Sequence, residues 1–323
     1  MGGGSGTTLN SSPRHAFGTQ EVLVCVEDWK GYEQCSAVQV FSPSIPAVWR
    51  QTDLPLLVEN AKAVVLDDGR LMMICCIHGV KTVQRDRRYT GLMGGPPVPL
   101  ADLQPRRGDE AVALLNGRVY VAGGHGYAPS VPVAVLSSVD AYDPKSNAWS
   151  TLAPLPIGLI DLVLVPYDGL LYAFGGATMD RQASRAAFAY DPTADDWSRL
   201  PDMPTARSYC AACVAPDGLI YVVGGDAEDR KPCVRVEAYD PNSRQWLRKG
   251  DLVHPRRQPA CACLDGQLYR YVLGGNAFYS GHGTDDRSVE VYDAAADRWL
   301  RHACRLSGDI VGCGAVTMKL KPA

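Results

Sequence analysis

Short apolar runs, each ended by a pair of glycines, recur along the chain. Val119-Tyr-Val-Ala122 precedes Gly123-Gly124, Leu171-Tyr-Ala-Phe174 precedes Gly175-Gly176, Ile220-Tyr-Val-Val223 precedes Gly224-Gly225, and Tyr271-Val-Leu273 precedes Gly274-Gly275. The doublets are 52, 49 and 50 residues apart. The same frame extended backwards meets Cys75-Cys76 and Glu27-Asp28, 48 and 96 residues before Gly123, each after its own apolar run. Apolar runs this short between turn residues read as strands, and a steady period of about fifty residues marks a repeat architecture.

Turn signals fix the rest of the unit. Asp68-Gly69, Asn116-Gly117, Asp168-Gly169, Asp217-Gly218 and Asp265-Gly266 precede the later doublets, and these pairs suit tight hairpins whose central residues need positive φ. After each doublet comes a tyrosine, at Tyr142, Tyr190, Tyr239 and Tyr292, and 7 residues later a tryptophan, at Trp149, Trp197, Trp246 and Trp299. Phe41 and Trp49 mimic the pair near the N-terminus. One unit therefore reads as four strands: a small-residue inner strand, a hairpin into the doublet strand, a Tyr strand and a Trp strand.

The expected fold is an all-β, six-bladed β-propeller with four antiparallel strands per blade. Inner segments such as Cys210-Ala-Ala-Cys213 and Gly312-Cys-Gly-Ala315 are small, as crowding near a central axis requires. Glu21–Asp28 starts at a second strand, while Asp309–Leu320 resembles an inner strand with nothing after it. The C-terminal strand is thus expected to pair with the N-terminal blade and close the ring, which removes an exposed edge. Residues 1–12 read as a flexible leader and 13–323 as a single propeller.

Composition narrows the function. The 32 basic and 35 acidic residues are intermixed for a net charge of -3, so neither nucleic acid nor an anionic membrane is an expected partner. The most hydrophobic stretch is interrupted by Asp161, Pro166, Asp168 and Gly169, so no spanning segment is expected. Eleven cysteines, an odd number, read as reduced thiols and point to a cytoplasmic setting.

The doublets with Tyr and Trp at this spacing resemble the kelch repeat. Met203-Pro-Thr-Ala-Arg-Ser208 and Val236-Glu-Ala-Tyr-Asp-Pro241 are similar to the kelch-like proteins that join BTB, BACK and kelch domains. The resemblance implies a six-bladed kelch β-propeller serving as the substrate (degron) receptor of a cullin-RING ubiquitin ligase adaptor. A cullin would be reached only through BTB and BACK regions, which this sequence does not include.

The doublet-to-Tyr distance runs 14, 14, 19, 15, 15 and 18 residues, and variable length marks the loops that carry function. In the resembling family these loops, with those leading into each inner strand, line a face that holds a peptide. The candidate peptide-binding residues after the doublets are Trp29, His125, Tyr127, Asp226, Asn276, Phe278, Tyr279 and His282. Those leading into the inner strands are Arg107, Asp109, Arg207, Tyr209, Arg256, Arg257 and Gln258. Arginine and aromatic side chains anchor interfaces, and three converging arginine loops fit an acidic or phosphorylated peptide. Asp226, Glu228, Asp229, Glu27 and Asp28 on the same rim leave an Arg-bearing peptide open.

No cofactor or metal is expected. Cys210-x-x-Cys213 and Cys261-x-Cys263 lack a second ligand pair at zinc-site spacing, and residues three apart on a strand face opposite ways. Cys75-Cys76 suggests a redox sensor, though its apolar surroundings raise a thiol pKa. The chain is expected not to be an enzyme, since hydrolase elbows, phosphate loops and His-Glu-x-x-His are absent. Two alternatives stay open. A kelch-type sugar mutarotase or epimerase would use Asp109 with Arg207 or Arg257, and an actin-binding scaffold would use a broad surface away from the channel mouth.

Overall fold

The computed structural model describes residues 20–30, 33–41, 50–53, 62–67, 71–74, 87–89, 98–101, 103–105, 107–128, 131–264, 269–273, 288–305 and 314–319. Among them there are strands and turns and no helix. Sheet 1 places the last strand of the chain, β27 (Gly314–Lys319), beside β1 (Gln20–Lys30), followed by β2 (Glu33–Phe41) and β3 (Arg50–Asp53). Sheet 2 comprises β4 (Lys62–Val65), β5 (Leu71–Ile74), β6 (Arg87–Tyr89) and β7 (Val98–Pro99). In sheet 3, β9 (Ala111–Leu115), β10 (Arg118–Ala122), β13 (Val139–Asp143) and β14 (Ala148–Leu152) lie side by side. A three-stranded ribbon of β8 (Arg107–Gly108), β11 (His125–Ala128) and β12 (Val131–Val135) accompanies it.

Sheet 4 holds β15 (Ile160–Tyr167), β16 (Leu170–Ala177), β17 (Ala187–Asp191) and β18 (Asp196–Arg199). Sheet 5 holds β19 (Ala211–Val214), β20 (Ile220–Val223), β21 (Val236–Asp240) and β22 (Gln245–Arg248). Sheet 6 holds β23 (Ala260–Leu264), β24 (Tyr269–Leu273), β25 (Ser288–Asp293) and β26 (Arg298–Arg305). All described pairings are antiparallel, and Val22 to Val24 stand opposite Thr317 to Ala315 where the two ends of the chain meet. The innermost strands β4, β9, β15, β19, β23 and β27 contact one another in that order, and β27 contacts β4.

The periodic aromatics explain how one sheet grips the next. Tyr142 stands opposite Trp149 and Tyr190 opposite Trp197, with ring centroids 5.2 and 5.0 Å apart. Three of the four tryptophans carry the indole N–H back to the preceding unit, Trp149 to the Ala101 carbonyl, Trp197 to that of Ala153 and Trp246 to that of Pro201, while the Trp299 indole N–H is buried with no partner among the described residues. The turn side chains Asn147 and Asp195 do the same in reverse. Asn147 Oδ1 accepts the Ala101 amide and the Tyr142 hydroxyl, and Asp195 Oδ1 accepts the Ala153 amide and the Tyr190 hydroxyl. In sheets 3 and 4 large aromatic area is thus buried with its polar tips satisfied.

The doublets sit where neighbouring sheets come closest. The amides of Gly124, Gly176 and Gly225 donate to the carbonyls of Leu159, Arg207 and Arg256 in the next unit at 2.8, 2.8 and 2.7 Å. At Gly175, with φ +66°, a Cβ would stand 2.4 Å from the Arg207 carbonyl oxygen, which only glycine avoids.

Two expectations about the first loops need correction. Glu27-Asp28 does not end a strand: β1 runs on to Lys30, and Trp29 pairs with Gln34 inside a long hairpin. His125 and Tyr127 likewise lie in β11, with His125 opposite Gly108 and Val135, so an extra ribbon stands where an irregular loop was expected. A Glu-Asp pair lacks the positive-φ freedom of the glycines that follow the ends of β10 and β20. Cys75 and Cys76, and with them the sensor idea, lie outside the described residues.

Candidate functional site

Three of the expected ligand arginines are committed to the fold. Arg107, Arg207 and Arg256 have relative exposures of 0, 0 and 3%. Arg107 pairs with Asp140 and donates to the Ser138 carbonyl. Arg207 pairs with Glu237 at 2.5 Å and donates to the Arg235 carbonyl at 2.8 Å. Arg256 donates through Nε and Nη2 to Glu290 at 3.1 and 2.8 Å, and to the Ser288 carbonyl and hydroxyl. Each arginine thus joins the start of an inner strand to the Tyr strand of the same sheet. Their guanidinium groups satisfy buried carboxylates, so they are withdrawn from the ligand set, and Arg207 from the alternative sugar site.

The residues two positions further on form the next layer, and those of the first three of these repeats reach the mouth. Asp109, Asp161, Tyr209 and Gln258 follow Arg107, Leu159, Arg207 and Arg256 by two, and each has a positive φ of 55, 53, 53 and 51°. The Asp161 amide donates to the Asp109 carbonyl at 2.8 Å, that of Tyr209 to Asp161 at 3.1 Å, and that of Gln258 to Tyr209 at 2.9 Å. A chain of backbone hydrogen bonds therefore crosses four repeats, with one side chain per repeat projecting from it.

A cleft of about 630 Å³ opens there, within the usual range for ligand sites. It is lined by Asp109, His125, Asp161, Tyr209, Asp226 and Arg257, with Val135, Ile160 and Met179 as apolar wall and Arg181 and Arg230 at its edge. His125 Nδ1 lies 3.2 Å from Asp109 Oδ2. Arg257 donates to Asp226 Oδ2 at 2.7 Å, with its guanidinium carbon 3.8 Å from the centre of the Tyr209 ring. This cation–π stack leaves Arg257 partly exposed, unlike the buried Arg256 beside it.

Asp161 is the unusual group. Its Oδ2 is buried with no hydrogen-bond partner among the described residues, and the Tyr209 hydroxyl lies close to the carboxylate. Burial, and then the like charge of Asp109, raise its pKa well above the usual carboxylate range against the opposing effects of Tyr209, Lys62 and Arg257. Burial lifts Asp226 to about 6 even with Arg257 in contact, and pushes the Tyr209 hydroxyl upward as well. The cleft therefore has two buried carboxyl groups, Asp161 and Asp226, that hold protons unusually well, and exposed arginines at its edge.

Of the expected residues, the structure brings Asp109, His125, Tyr209, Asp226 and Arg257 together. Gln258 continues the backbone chain, and its side chain is not part of the cleft lining. Asn276, Phe278, Tyr279 and His282 lie outside the described residues. The sequence reading missed Asp161, because it followed arginines and Leu159 stands where the arginine would be. It also missed Arg181 and Arg230. Each lies six residues after a first doublet glycine, has φ of 58°, and closes a tight turn by donating to Thr178 or Ala227. That shared spacing was the available signal.

Residues 106–156, 162–204 and 207–252 match the Kelch motif. The chain carries a kelch repeat domain. It is 36% identical to Kelch-like protein 25 of Xenopus tropicalis over 106 residues, covering 32% of this chain and 18% of that protein. It is 27% identical to Alpha-scruin of Limulus polyphemus over 118 residues, 35% of this chain and 12% of that one. The chain thus matches under a fifth of the length of either relative. Among solved structures it is similar to YjhT, with a TM-score of 0.68 at 12% identity, over 86% of this chain and 96% of that one, and this likeness concerns the fold.

The likeness to YjhT also overturns the expectation that the chain is no enzyme. That expectation rested on missing motifs, whereas this fold assembles its mouth from single residues of successive repeats, which no contiguous motif would announce. Among the described residues no helix is long and apolar enough to cross a membrane.

Proposed function

We propose that residues 13–323 form one closed, six-bladed kelch propeller that captures a segment of a partner protein in this cleft. It would act in the cytoplasm as the substrate-recognition part of a cullin-type ubiquitin ligase adaptor. The succession of innermost strands and the pairing of β27 with β1 support the ring. The kelch repeats and the relatedness to Kelch-like protein 25 support the recognition role.

The observation that carries the reading is the Asp161 Oδ2, buried without a hydrogen-bond partner among the described residues in a cleft it shares with Asp109, Tyr209 and Arg257. With Arg107, Arg207 and Arg256 consumed in the fold, a phosphorylated anchor loses its expected clamp. An Arg or Lys side chain entering the cleft meets the Asp109 carboxylate and favours ionisation of Asp161, and acidic flanking residues meet Arg181 and Arg230 at the edge. The anchor is therefore a basic residue within an amphipathic segment.

Fluorescence polarisation with peptides differing only at the anchor tests this. An Arg peptide should bind, and Asp161→Asn should weaken it by about tenfold, the scale of one charge-assisted hydrogen bond. Preference for phosphoserine, or binding indifferent to Asp161→Asn, would refute the assignment.

A second reading rests on the same carboxyl groups. A proton-holding Asp161 facing Tyr209, with the Asp109–His125 pair alongside, supplies an acid and a base for anomer exchange of a sugar. NMR exchange measurements on a sialic acid, abolished by Asp109→Ala, would select this reading over peptide capture.

A further inference from the structure

We propose that Cys213, Cys261 and Cys263 form a disulfide site joining sheets 5 and 6 through their innermost strands. Cys213 Sγ lies 2.8 Å from Cys261 Sγ and 3.4 Å from Cys263 Sγ. The shorter distance is well inside the roughly 3.5–4.0 Å at which unbonded heavy atoms rest. Cys213 is on β19 and the other two are on β23, strands that belong to different sheets and touch through side chains. Cys261 and Cys263 are two apart on their strand and so share a face, which gives Cys213 two partners.

The surroundings set a direction for the chemistry. Cys213 and Cys261 are buried in an apolar cluster with Ala211, Tyr221 and Trp299, whereas Cys263 is only half-buried at its edge. A small-molecule disulfide such as oxidised glutathione meets Cys263 first. The Cys263 thiolate attacks one glutathione sulfur, the S–S bond of the reagent breaks, and one glutathione leaves with the proton. Cys213 then attacks Cys263 Sγ, forming the Cys213–Cys263 bond and expelling the second glutathione. Cys261 finally attacks Cys213 Sγ and returns Cys263 to the thiol. Two protein thiols are oxidised to one disulfide, and one glutathione disulfide is reduced to two thiols. Cys210 and Cys233 are internal controls, since burial pushes the former up to about 11 and raises the latter too, away from the reactive thiolate.

The full chain is equilibrated with oxidised and reduced glutathione, quenched with acid, alkylated and mapped by mass spectrometry. The expected product is a crosslink between the Cys213 peptide and the peptide bearing Cys261 and Cys263, with Cys210 and Cys233 alkylated. Cys263→Ser should slow crosslinking by roughly tenfold or more while leaving Cys213–Cys261 as the product, and Cys261→Ser should divert it to Cys213–Cys263. The oxidised chain should melt on the order of 5 °C higher than the reduced one, because the bond closes a long loop. Cys213 remaining fully alkylatable, a glutathione adduct that stops at Cys263, or crosslinks to Cys210 or Cys233 would each overturn the site. Should Cys261→Ser fold poorly, the half-buried Cys263→Ser variant keeps the test decisive.

Discussion

Arg207 and Glu237 form a buried ion pair in sheet 5 at the place where sheet 4 puts Leu159 and Phe188. Leu159 aligns with the arginine before each inner strand, and Phe188 with Asp140, Glu237 and Glu290 on the Tyr strands. The repeat thus has two solutions for one joint, charged in sheets 3, 5 and 6 and apolar in sheet 4.

Removing half of the charged joint should be costly. Arg207→Ala strands Glu237 without its counter-ion, and urea unfolding should show a loss of about 3–5 kcal/mol. The double change Arg207→Leu with Glu237→Phe, which copies sheet 4, should recover most of that loss. A double variant no more stable than Arg207→Ala would show that the two joints are not interchangeable.

Glu110 gives a pH-dependent stability. It is buried with neither carboxylate oxygen hydrogen-bonded among the described residues, and burial lifts its pKa to about 7. The native state holds this proton while the unfolded chain releases it, so stability should fall as pH rises from about 4.5 to about 7. Leu162 occupies the matching place in sheet 4. Glu110→Leu should therefore stabilise the protein by roughly 1–3 kcal/mol at pH 8, with much less gain at pH 4, in chemical denaturation across that range.

Two glycines with positive φ should respond differently to the same change. At Gly175 a new Cβ collides with the Arg207 backbone, whereas at Gly169 it would meet nothing within 4 Å. Gly169→Ala should cost only the backbone strain, about 1 kcal/mol, while Gly175→Ala should cost about 3 kcal/mol or more because a neighbouring sheet must move. Thermal melts of the two variants check this, and equal losses would contradict the close inter-sheet contact.

Peptide binding should depend on pH in a definite direction. As pH rises, Asp226 ionises near 6 and Asp161 above the ordinary carboxylate range, so the cleft they share with Arg257, His125 and Asp109 becomes more negative. A basic anchor should bind about tenfold tighter at pH 7.5 than at pH 5, and Asp226→Asn should flatten the profile. Titration of affinity against pH measures it, and tighter binding in acid would point to an anionic ligand instead.

The strand order was legible because the signals behind it are local. Doublets, turn pairs and Tyr–Trp spacing each express a backbone or burial demand within one repeat. The mouth was less legible. Arg107, Arg207 and Arg256 looked like ligand anchors because an unpaired arginine and a buried one are written with the same letter. Their partners Asp140, Glu237 and Glu290 lie 30 to 34 residues away on another strand, so the commitment shows only after folding. Asp161 was hidden for the opposite reason: its repeat lacks the arginine that drew attention to the others. The extra ribbon at His125 came from the longest doublet-to-Tyr interval, where length alone could not tell an irregular loop from a hairpin.

The backbone bonds that run from Asp109 through Asp161 and Tyr209 to Gln258 use only main-chain atoms. Backbone geometry at the mouth is thereby decoupled from what the side chains of Asp109, Asp161 and Tyr209 say to a visitor. Evolution, or an engineer, can rewrite selectivity one letter per repeat on an unchanged scaffold, drawing on side chains that tolerate a left-handed backbone.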